Sequence, residues 1–199
     1  MKRSLLFMLI FLFVICLVSG CGKEGGVREG VELLKNGNME EGTKDEISGE
    51  QPRYWYFNKG DPLSEIKYTI DPTNGSNKCI KMVATAHDGL LMAYQKVTNY
   101  IPIGKKVKLT VRIKTENLVG QGASIVIRCD DTVNREGEPE QFATTQSITT
   151  IEGTKEWTYY SLELGERIKS TIKSITVFLL VLPDTSGTVY FDNASLIVY

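Results

Sequence analysis

Aromatic side chains are the residues whose type and grouping most clearly suggest binding chemistry in this sequence. Residues 54–57 are four consecutive aromatic residues, and Tyr94 is followed by the polar Gln95. The flat face of an aromatic ring can stack on a sugar ring, and neighbouring polar groups can hydrogen-bond to its hydroxyls. The other use of such rings is core packing, which we favour for Trp55 and Trp157. Composition alone leaves both uses open for the tyrosines.

Catalytic motifs are missing from the sequence. His87 is the single histidine, and it precedes Asp88 and Gly89, which is typical of an exposed turn. A His-Asp dipeptide does not establish the geometry of a catalytic triad. The sequence also lacks His-Glu-x-x-His, Gly-x-Ser-x-Gly and a phosphate-binding loop. We therefore predict that the protein is not an enzyme.

The pattern of residues at the N-terminus indicates a targeting segment. Lys2 and Arg3 precede an apolar run over residues 5–18, which is fourteen residues long. A membrane-spanning helix needs about twenty apolar residues, so the run predicts a signal peptide over residues 1–20. Residues 17–21, Leu-Val-Ser-Gly-Cys, resemble a bacterial lipobox, and this resemblance implies a lipidated Cys21. The other interpretation is an ordinary signal peptide or an uncleaved anchor that ends near a cysteine.

The remaining chain divides into a linker and one domain. Residues 21–31 contain four glycines after Cys21 and predict a flexible linker, and residues 32–199 form the domain. We expect lipid anchoring at the extracytoplasmic face of the cell membrane. Without residues 1–20 the chain has 21 basic and 24 acidic side chains, a net charge of −3. This charge argues against nucleic acid as a partner.

Short runs of β-forming residues separated by Gly, Pro, Asn and Asp predict an all-β domain. Apolar and polar residues alternate over 106–114, as in a strand with one face in the core. Residues 177–182 are apolar throughout, which indicates a central strand covered on both faces. We predict an antiparallel two-sheet β-sandwich, with strands at 91–97 and 146–151 among others and an acidic loop over 130–145.

Two cysteines, Cys79 and Cys129, remain in the predicted domain. An extracytoplasmic location permits a disulfide between them. Each also lies within a predicted strand, where a free cysteine serves as a small core residue. The sequence leaves both states open. Two cysteines and one histidine do not make a zinc set.

The order of several motifs resembles the jelly-roll carbohydrate-binding modules grouped as families 4, 9, 16 and 22. Residues 33–42, Leu-Leu-Lys-Asn-Gly-Asn-Met-Glu-Glu-Gly, are similar to the opening motif of these modules. Residues 94–114 contain Tyr-Gln-Lys-Val and the later Ile-Gly-Lys-Lys-Val-Lys-Leu-Thr-Val-Arg-Ile-Lys, which are similar to their central region. Residues 156–160, Glu-Trp-Thr-Tyr-Tyr, and 187–196, Gly-Thr-Val-Tyr-Phe-Asp-Asn-Ala-Ser-Leu, resemble the later motifs. The resemblance covers nearly all of residues 33–198 and implies a jelly-roll sandwich.

The resemblance also implies candidate sites. Glu40 of the opening motif and Asp192 of the closing strand would hold a structural calcium ion, which prefers carboxylate oxygens; the other interpretation is a pair of solvated or capping acids. The predicted carbohydrate-binding residues are Tyr54, Tyr56, Tyr94, Gln95 and Arg112. We expect a membrane-anchored, non-catalytic domain that binds glycan or cell-wall polysaccharide. The alternative is a structural or protein-interaction sandwich that binds a protein partner and no sugar.

Overall fold

The computed structural model describes residues 30–45, 49–60, 62–87, 89–134 and 137–199. The predicted signal peptide, Cys21, the linker up to residue 29 and Asp88 lie outside the described residues. Within the described part of the chain, no helix is long and apolar enough to cross a membrane.

The described residues form eleven strands and no α-helix. The strands are β1 Gly42–Asp45, β2 Gly49–Pro52, β3 Tyr56–Lys59, β4 Glu65–Asp71, β5 Asn74–His87, β6 Leu91–Val97, β7 Val107–Asp130, β8 Gln141–Thr144, β9 Ile151–Glu163, β10 Ser174–Val181 and β11 Thr185–Val198. All pairings between them are antiparallel. The prediction of an all-β antiparallel sandwich is confirmed.

The long strand β7 joins the two halves of one continuous nine-stranded sheet. Its first half, residues 107–115, pairs with β11 and β9, whereas its second half, residues 123–130, pairs with β10 and β8. We call the half with the order β4-β5-β11-β7-β9 sheet one and the half with the order β3-β6-β10-β7-β8 sheet two, and β1 and β2 form a separate two-stranded sheet. Gly120 lies between the halves with φ +112, where a Cβ would collide with the Asp184 carbonyl. Glycine is required there because the chain adopts a left-handed conformation against neighbouring backbone.

The core fills the space between the two sheets. The alternating residues Val107, Leu109, Val111 and Ile113 of β7 are all fully buried, as the sequence pattern predicts. They belong to one apolar cluster with the inward residues of β10. Each fully buried side chain of this size stabilises the fold by about 1.5–3 kcal/mol.

Most of the strands that carry the candidate residues lie where the sequence predicts them. Strand β6 covers residues 91–97, and residues 177–179 of β10 are buried on both faces of sheet two. The strand predicted at 146–151 is wrong, since residues 146–149 form a turn in which the amides of Ile148 and Thr149 donate to the Thr145 carbonyl. The actual strand, β8, precedes that turn and lies within the predicted acidic loop. The β-branched residues Ile148 and Thr149 favour a strand by type, but they lie in this turn, and Ile148 is 78% exposed.

Both cysteines of the domain are buried free thiols. Cys79 lies in β5 of sheet one and Cys129 lies in the second half of β7, in sheet two. Burial, the largest cause, raises the pKa of each thiol to about 12. They therefore act as small core residues rather than as a disulfide or a reactive pair.

Candidate functional site

The outer face of sheet two carries a row of aromatic side chains. Tyr56 of β3 lies opposite Tyr94 of β6, Tyr94 lies opposite Phe178 of β10, and Phe178 lies opposite Val126 of β7. The ring centroids of Tyr56 and Tyr94 are 5.6 Å apart, and those of Tyr94 and Phe178 are 5.8 Å apart. The row continues to Thr144 of β8. It crosses four strand spacings, about 19 Å.

The row is deep in the middle and exposed at its edges. Phe178 and Val126 are only 6% and 4% exposed, whereas Tyr56 is 54% exposed. At the opposite edge Phe142 of β8 is 52% exposed. Beside Phe142 this face contains a cleft of about 230 Å³. Its lining is mainly apolar and comprises Leu90, Met92, Val126, Arg128, Phe142, Phe178 and Leu180.

A second, smaller pocket lies at the β3 edge, beside the exposed end of the row. It measures about 110 Å³ and is lined by Leu33, Lys35, Tyr54, Tyr56, Gln95, Lys96, Val97 and Asn99. The ring of Tyr54 lies under two cations, with Lys35 Nζ at 5.1 Å and Arg53 Cζ at 5.0 Å from its centroid. Tyr54 and Tyr56 therefore share one pocket, and Tyr56 and Tyr94 share one row.

The backbone at Tyr54 is unusual for a bulky residue. Its φ is +72, and the amide of Trp55 donates to the Pro52 carbonyl to close the turn. This position of a turn normally takes glycine or asparagine. Strain of this kind persists where the surrounding structure holds it, commonly at binding sites. Here Asn36 holds the turn, since its side-chain Nδ2 donates to the Arg53 carbonyl at 3.0 Å.

The structure places Gln95 away from the open face. Gln95 is 4% exposed, and its amide oxygen accepts from the Lys35 amide at 2.7 Å while its nitrogen donates to the Lys35 carbonyl at 2.9 Å. Both ends of the side chain are engaged with the backbone. Gln95 therefore positions the segment around Lys35, and its direct sugar contact stays a prediction.

Arg112 lies on the outer face of the other sheet, in a group that we call the Arg112 cluster: Arg112, Asp71, Asp192 and Trp157. Its guanidinium is 3.4 Å from Asp192 Oδ2, 3.7 Å from Asp71 Oδ2 and 4.5 Å from the Trp157 ring centroid, measured from Cζ for the ring. Trp157 Nε1 donates to Asp71 Oδ1 at 3.1 Å. Sugar contact by Arg112 stays a prediction, and the structure separates it from the three tyrosines.

Burial and charge shift the two acids of the Arg112 cluster in opposite directions. Burial raises the pKa of Asp192 to about 6, although the Asn193 amide and Arg112 act against it. Burial also acts to raise the pKa of Asp71, but hydrogen bonds from Thr73 and Trp157 and the charge of Arg112 outweigh it and hold that pKa below its usual range. Each acid is 1% exposed.

The predicted calcium ligands lie in the same region. Glu40 Oε1 accepts from the Lys78 amide at 3.0 Å, and the Glu40 charge acts to raise the pKa of Asp192. The Asp192 oxygens accept from the Asn193 amide at 2.7 Å and its side-chain nitrogen at 3.0 Å, beside the Arg112 guanidinium. Among the described residues no group of three His, Cys, Asp or Glu side chains is placed to hold a metal ion. Calcium prefers a shell of oxygens, whereas the Asp192 oxygens here accept from N–H donors; the calcium site, which would also need backbone carbonyls as ligands, stays a prediction.

Sequence reasoning missed three residues of the face in sheet two: Lys35, Phe142 and Phe178. Phe178 lies in an apolar run that reads as core, and only its pairing with Tyr94 shows that it faces outward. Phe142 lies in the segment predicted to be an acidic loop. Lys35 lies in the opening motif, which gives no indication that it reaches Tyr54.

Comparison with known proteins supports the fold and not a particular ligand. No family model matches the sequence, and no curated protein matches it. A family 4 carbohydrate-binding module matches the structure with TM-score 0.53 and 14% identity, covering 83% of this chain and 99% of that one. The family 22 xylan-binding domain of Paenibacillus barcinonensis Xyn10C matches with TM-score 0.53 and 10% identity, covering 86% and 97%.

Enzymes share the same fold. A cyclase from Fischerella sp. TAU matches with TM-score 0.57 and 17% identity, covering 86% of this chain and 98% of that one. The chain spans only 22% of the enzymatically active domain of bacteriophage CBA120 tailspike protein 4, at TM-score 0.56, 11% identity and 85% coverage of this chain. Identities this low establish the fold alone. The domain thus has the jelly-roll fold of carbohydrate-binding modules, a fold that also carries other functions.

Proposed function

We propose that this protein is a non-catalytic glycan-binding lipoprotein whose ligand lies on the outer face of sheet two. One observation carries the proposal: Tyr56, Tyr94 and Phe178 are direct cross-strand neighbours on that face. Such a row offers successive aromatic surfaces along one line. This suits an extended oligosaccharide better than a compact small molecule, because exposed rings at separate points of the face, such as Tyr56 and Phe142, can stack on different sugar units.

The depth of the face supports the same ligand class. Tyr56 is 54% exposed and Phe142 is 52% exposed, so each edge of the row presents an aromatic surface to solvent. Between them the floor is apolar and lies deeper. A concave, mainly apolar surface with a few fixed polar groups is the usual form of a ligand site. The likeness to carbohydrate-binding modules adds to this reading.

The test is glycan-array binding by the full chain in detergent micelles, compared with Tyr56→Ala and Tyr94→Ala. Loss of an aromatic anchor commonly costs at least 2 kcal/mol, so each variant is expected to bind at least about thirtyfold more weakly. Tyr159→Ala is the matched control, since Tyr159 is 62% exposed on the outer face of sheet one. A folded protein that binds no glycan would reject the proposal and favour a structural or protein-interaction role.

We also propose that Cys21 carries the lipid that holds the domain at the extracytoplasmic face of the cell membrane. The lipobox-like residues 17–21 and the glycine-rich linker after them support this placement. The test is palmitate labelling of the full chain expressed in a bacterium, compared with Cys21→Ser. Label that persists in the variant would reject lipidation at Cys21.

A further inference from the structure

We propose that the glycan bound on sheet two is anionic, and that its carboxylate or phosphate group lies in the pocket at the β3 edge, between Lys35 and Lys96. The inference rests on the proposed function and narrows its ligand class. The sugar unit that carries the charge would stack on the exposed ring of Tyr56, which lines the same pocket. Two sources, a uronate and a phosphorylated sugar, supply the same chemistry.

The lining of the pocket supports an anion. Lys35 and Lys96 both line the pocket, and no acidic side chain does. Neither lysine forms an ion pair with another described residue. Lys96 Nζ instead donates to the Val133 carbonyl at 2.7 Å, which leaves its full charge uncompensated. This pocket is locally basic in a chain whose formal net charge is −1.

The positions of these groups are fixed by the fold. Gln95 binds both the amide and the carbonyl of Lys35, which ties that residue to β6. The Lys35 ammonium lies 5.1 Å from the centroid of the Tyr54 ring. That ring is held by the strained turn with φ +72. A preorganised cation loses little freedom on binding, so more of its interaction with an anion appears as affinity.

The Phe142 end of the face has no cation that lacks an acidic partner among the residues lining its cleft. Arg128 lines the cleft near Phe142, but its guanidinium is 2.8 Å from Asp130, which is 2% exposed. It also donates to the Gly137 carbonyl at 2.7 Å. That cation is already neutralised within the protein. The charge of the ligand is therefore expected at the β3 edge, which also fixes the orientation of the chain of sugars along the row.

The test is a glycan array, at two salt concentrations, that carries charged and neutral forms of the same glycans. Its probes include oligogalacturonate with its methyl ester and phosphomannan with its dephosphorylated form. The full chain in detergent micelles is compared with Lys35→Gln, Lys96→Gln and the charge-conserving Lys35→Arg. Lys44→Gln on the β1–β2 hairpin is the control, because Lys44 is exposed and lies outside the pocket lining.

The charged member of a bound pair is expected to bind at least about tenfold more tightly than the neutral member, since it gains charge-assisted hydrogen bonds. Lys35→Gln and Lys96→Gln should each remove most of this preference, Lys35→Arg should keep it, and added salt should reduce it. Whichever pair shows the preference identifies uronate or phosphate as the source. Equal binding of charged and neutral forms, or unchanged binding by both glutamine variants, overturns the inference and leaves the proposed function standing. A folded protein that binds no glycan overturns both.

Discussion

The outer faces of the two sheets use similar residue types for different purposes. On sheet one, Trp157 and Tyr190 lie beside Arg112 and two acids. These side chains interact with one another through ring contacts, a hydrogen bond and ion pairs. On sheet two, Tyr56 and its neighbours pack on one another in a row that ends in solvent. An aromatic residue beside an arginine is therefore not by itself a sign of a ligand site in this fold.

The two faces differ in whether their polar groups have interaction partners within the protein. In the Arg112 cluster the guanidinium, the indole N–H and most carboxylate oxygens have partners within the protein; the exception is Asp71 Oδ2, which has no hydrogen-bond partner and only the more distant Arg112. The pocket beside Tyr56 is lined by Lys35 and Lys96 and by no acidic side chain, and neither lysine forms an ion pair with another described residue. The first face stabilises the fold, and the second has charge and surface left for a ligand.

Removal of the cation from the Arg112 cluster should have the largest effect on stability. Arg112→Met leaves Asp71 and Asp192 buried without their positive partner, which costs about 3–5 kcal/mol for buried pairs. Urea unfolding of the full chain measures it. Lys108→Met is the control on the same strand, since its ion pair with Glu163 is exposed and is worth less than about 1 kcal/mol. Equal losses in the two variants would contradict an internal, stabilising role for the cluster.

The pH dependence of stability should show the burial of Asp192. Its folded pKa of about 6 lies above the ordinary value of 3.8, so the folded state binds more protons between these values. Stability is therefore expected to fall by about 2 kcal/mol as the pH rises from 4 to 6. Asp71 acts in the opposite sense, because its pKa is lowered, and its contribution is lost only as the pH falls below about 4.

Urea unfolding at pH 4, 5 and 6 tests this expectation by comparing the wild-type chain with Asp192→Asn. The variant should lose the decline between pH 4 and 6. Asp131→Asn, at an exposed acid, should keep it. A wild-type decline that persists in Asp192→Asn would assign the slope to another group.

Truncation of the aromatic row should affect stability much less than binding. Tyr56 and Phe142 are each about half exposed, so their replacement by alanine is expected to lower the free energy of unfolding by less than about 1 kcal/mol. Trp55→Ala is the contrasting variant, because Trp55 is fully buried and its loss should cost about 3–5 kcal/mol. Thermal unfolding measures all three. A large loss in Tyr56→Ala would mean that the row is structural.

Calcium removal should have the smallest effect. The Asp192 oxygens already accept from N–H donors beside the Arg112 guanidinium, so we expect EDTA to change the Tm by less than about 1 °C, since only a ligand bound by the folded state adds to its stability. A Tm that falls by several degrees in EDTA and recovers with added calcium would instead establish the site predicted at Glu40 and Asp192.

Much of the scaffold could be predicted from the sequence because strand patterns are local. The alternation from Val107 to Ile113 reports directly which residues meet the core, and the apolar run at 177–182 indicates a strand that is covered on both faces. The prediction failed at 146–151, where β-branched residues occupy a turn whose hydrogen bonds involve Thr145. Local propensity cannot show which backbone groups that threonine engages.

The candidate site was predicted only in part because its members are joined by pairing between strands. Tyr54, Tyr56 and Tyr94 could be chosen by type, and the structure places all three near the β3 edge of sheet two. Phe178 and Lys35 come from segments that gave no signal, and they reach the site through the register of β10 with β6 and the Gln95 hydrogen bonds. Arg112 has a suitable type but belongs to the other sheet.

The sequence by itself therefore determined the all-β class, the order of the motifs and the residues that alternate between core and surface, since these depend on neighbours along the chain. Only the tertiary structure decided which outward residues face one another. Strand register joins residues such as Tyr94 and Phe178 that lie far apart in the chain. The register of β11 with β7 sets Arg112 opposite Asp192, and the Gln95 hydrogen bonds hold Lys35 beside an open pocket. Whether a polar side chain is consumed within the fold or left for a ligand depends on these long-range pairings, which no local pattern encodes.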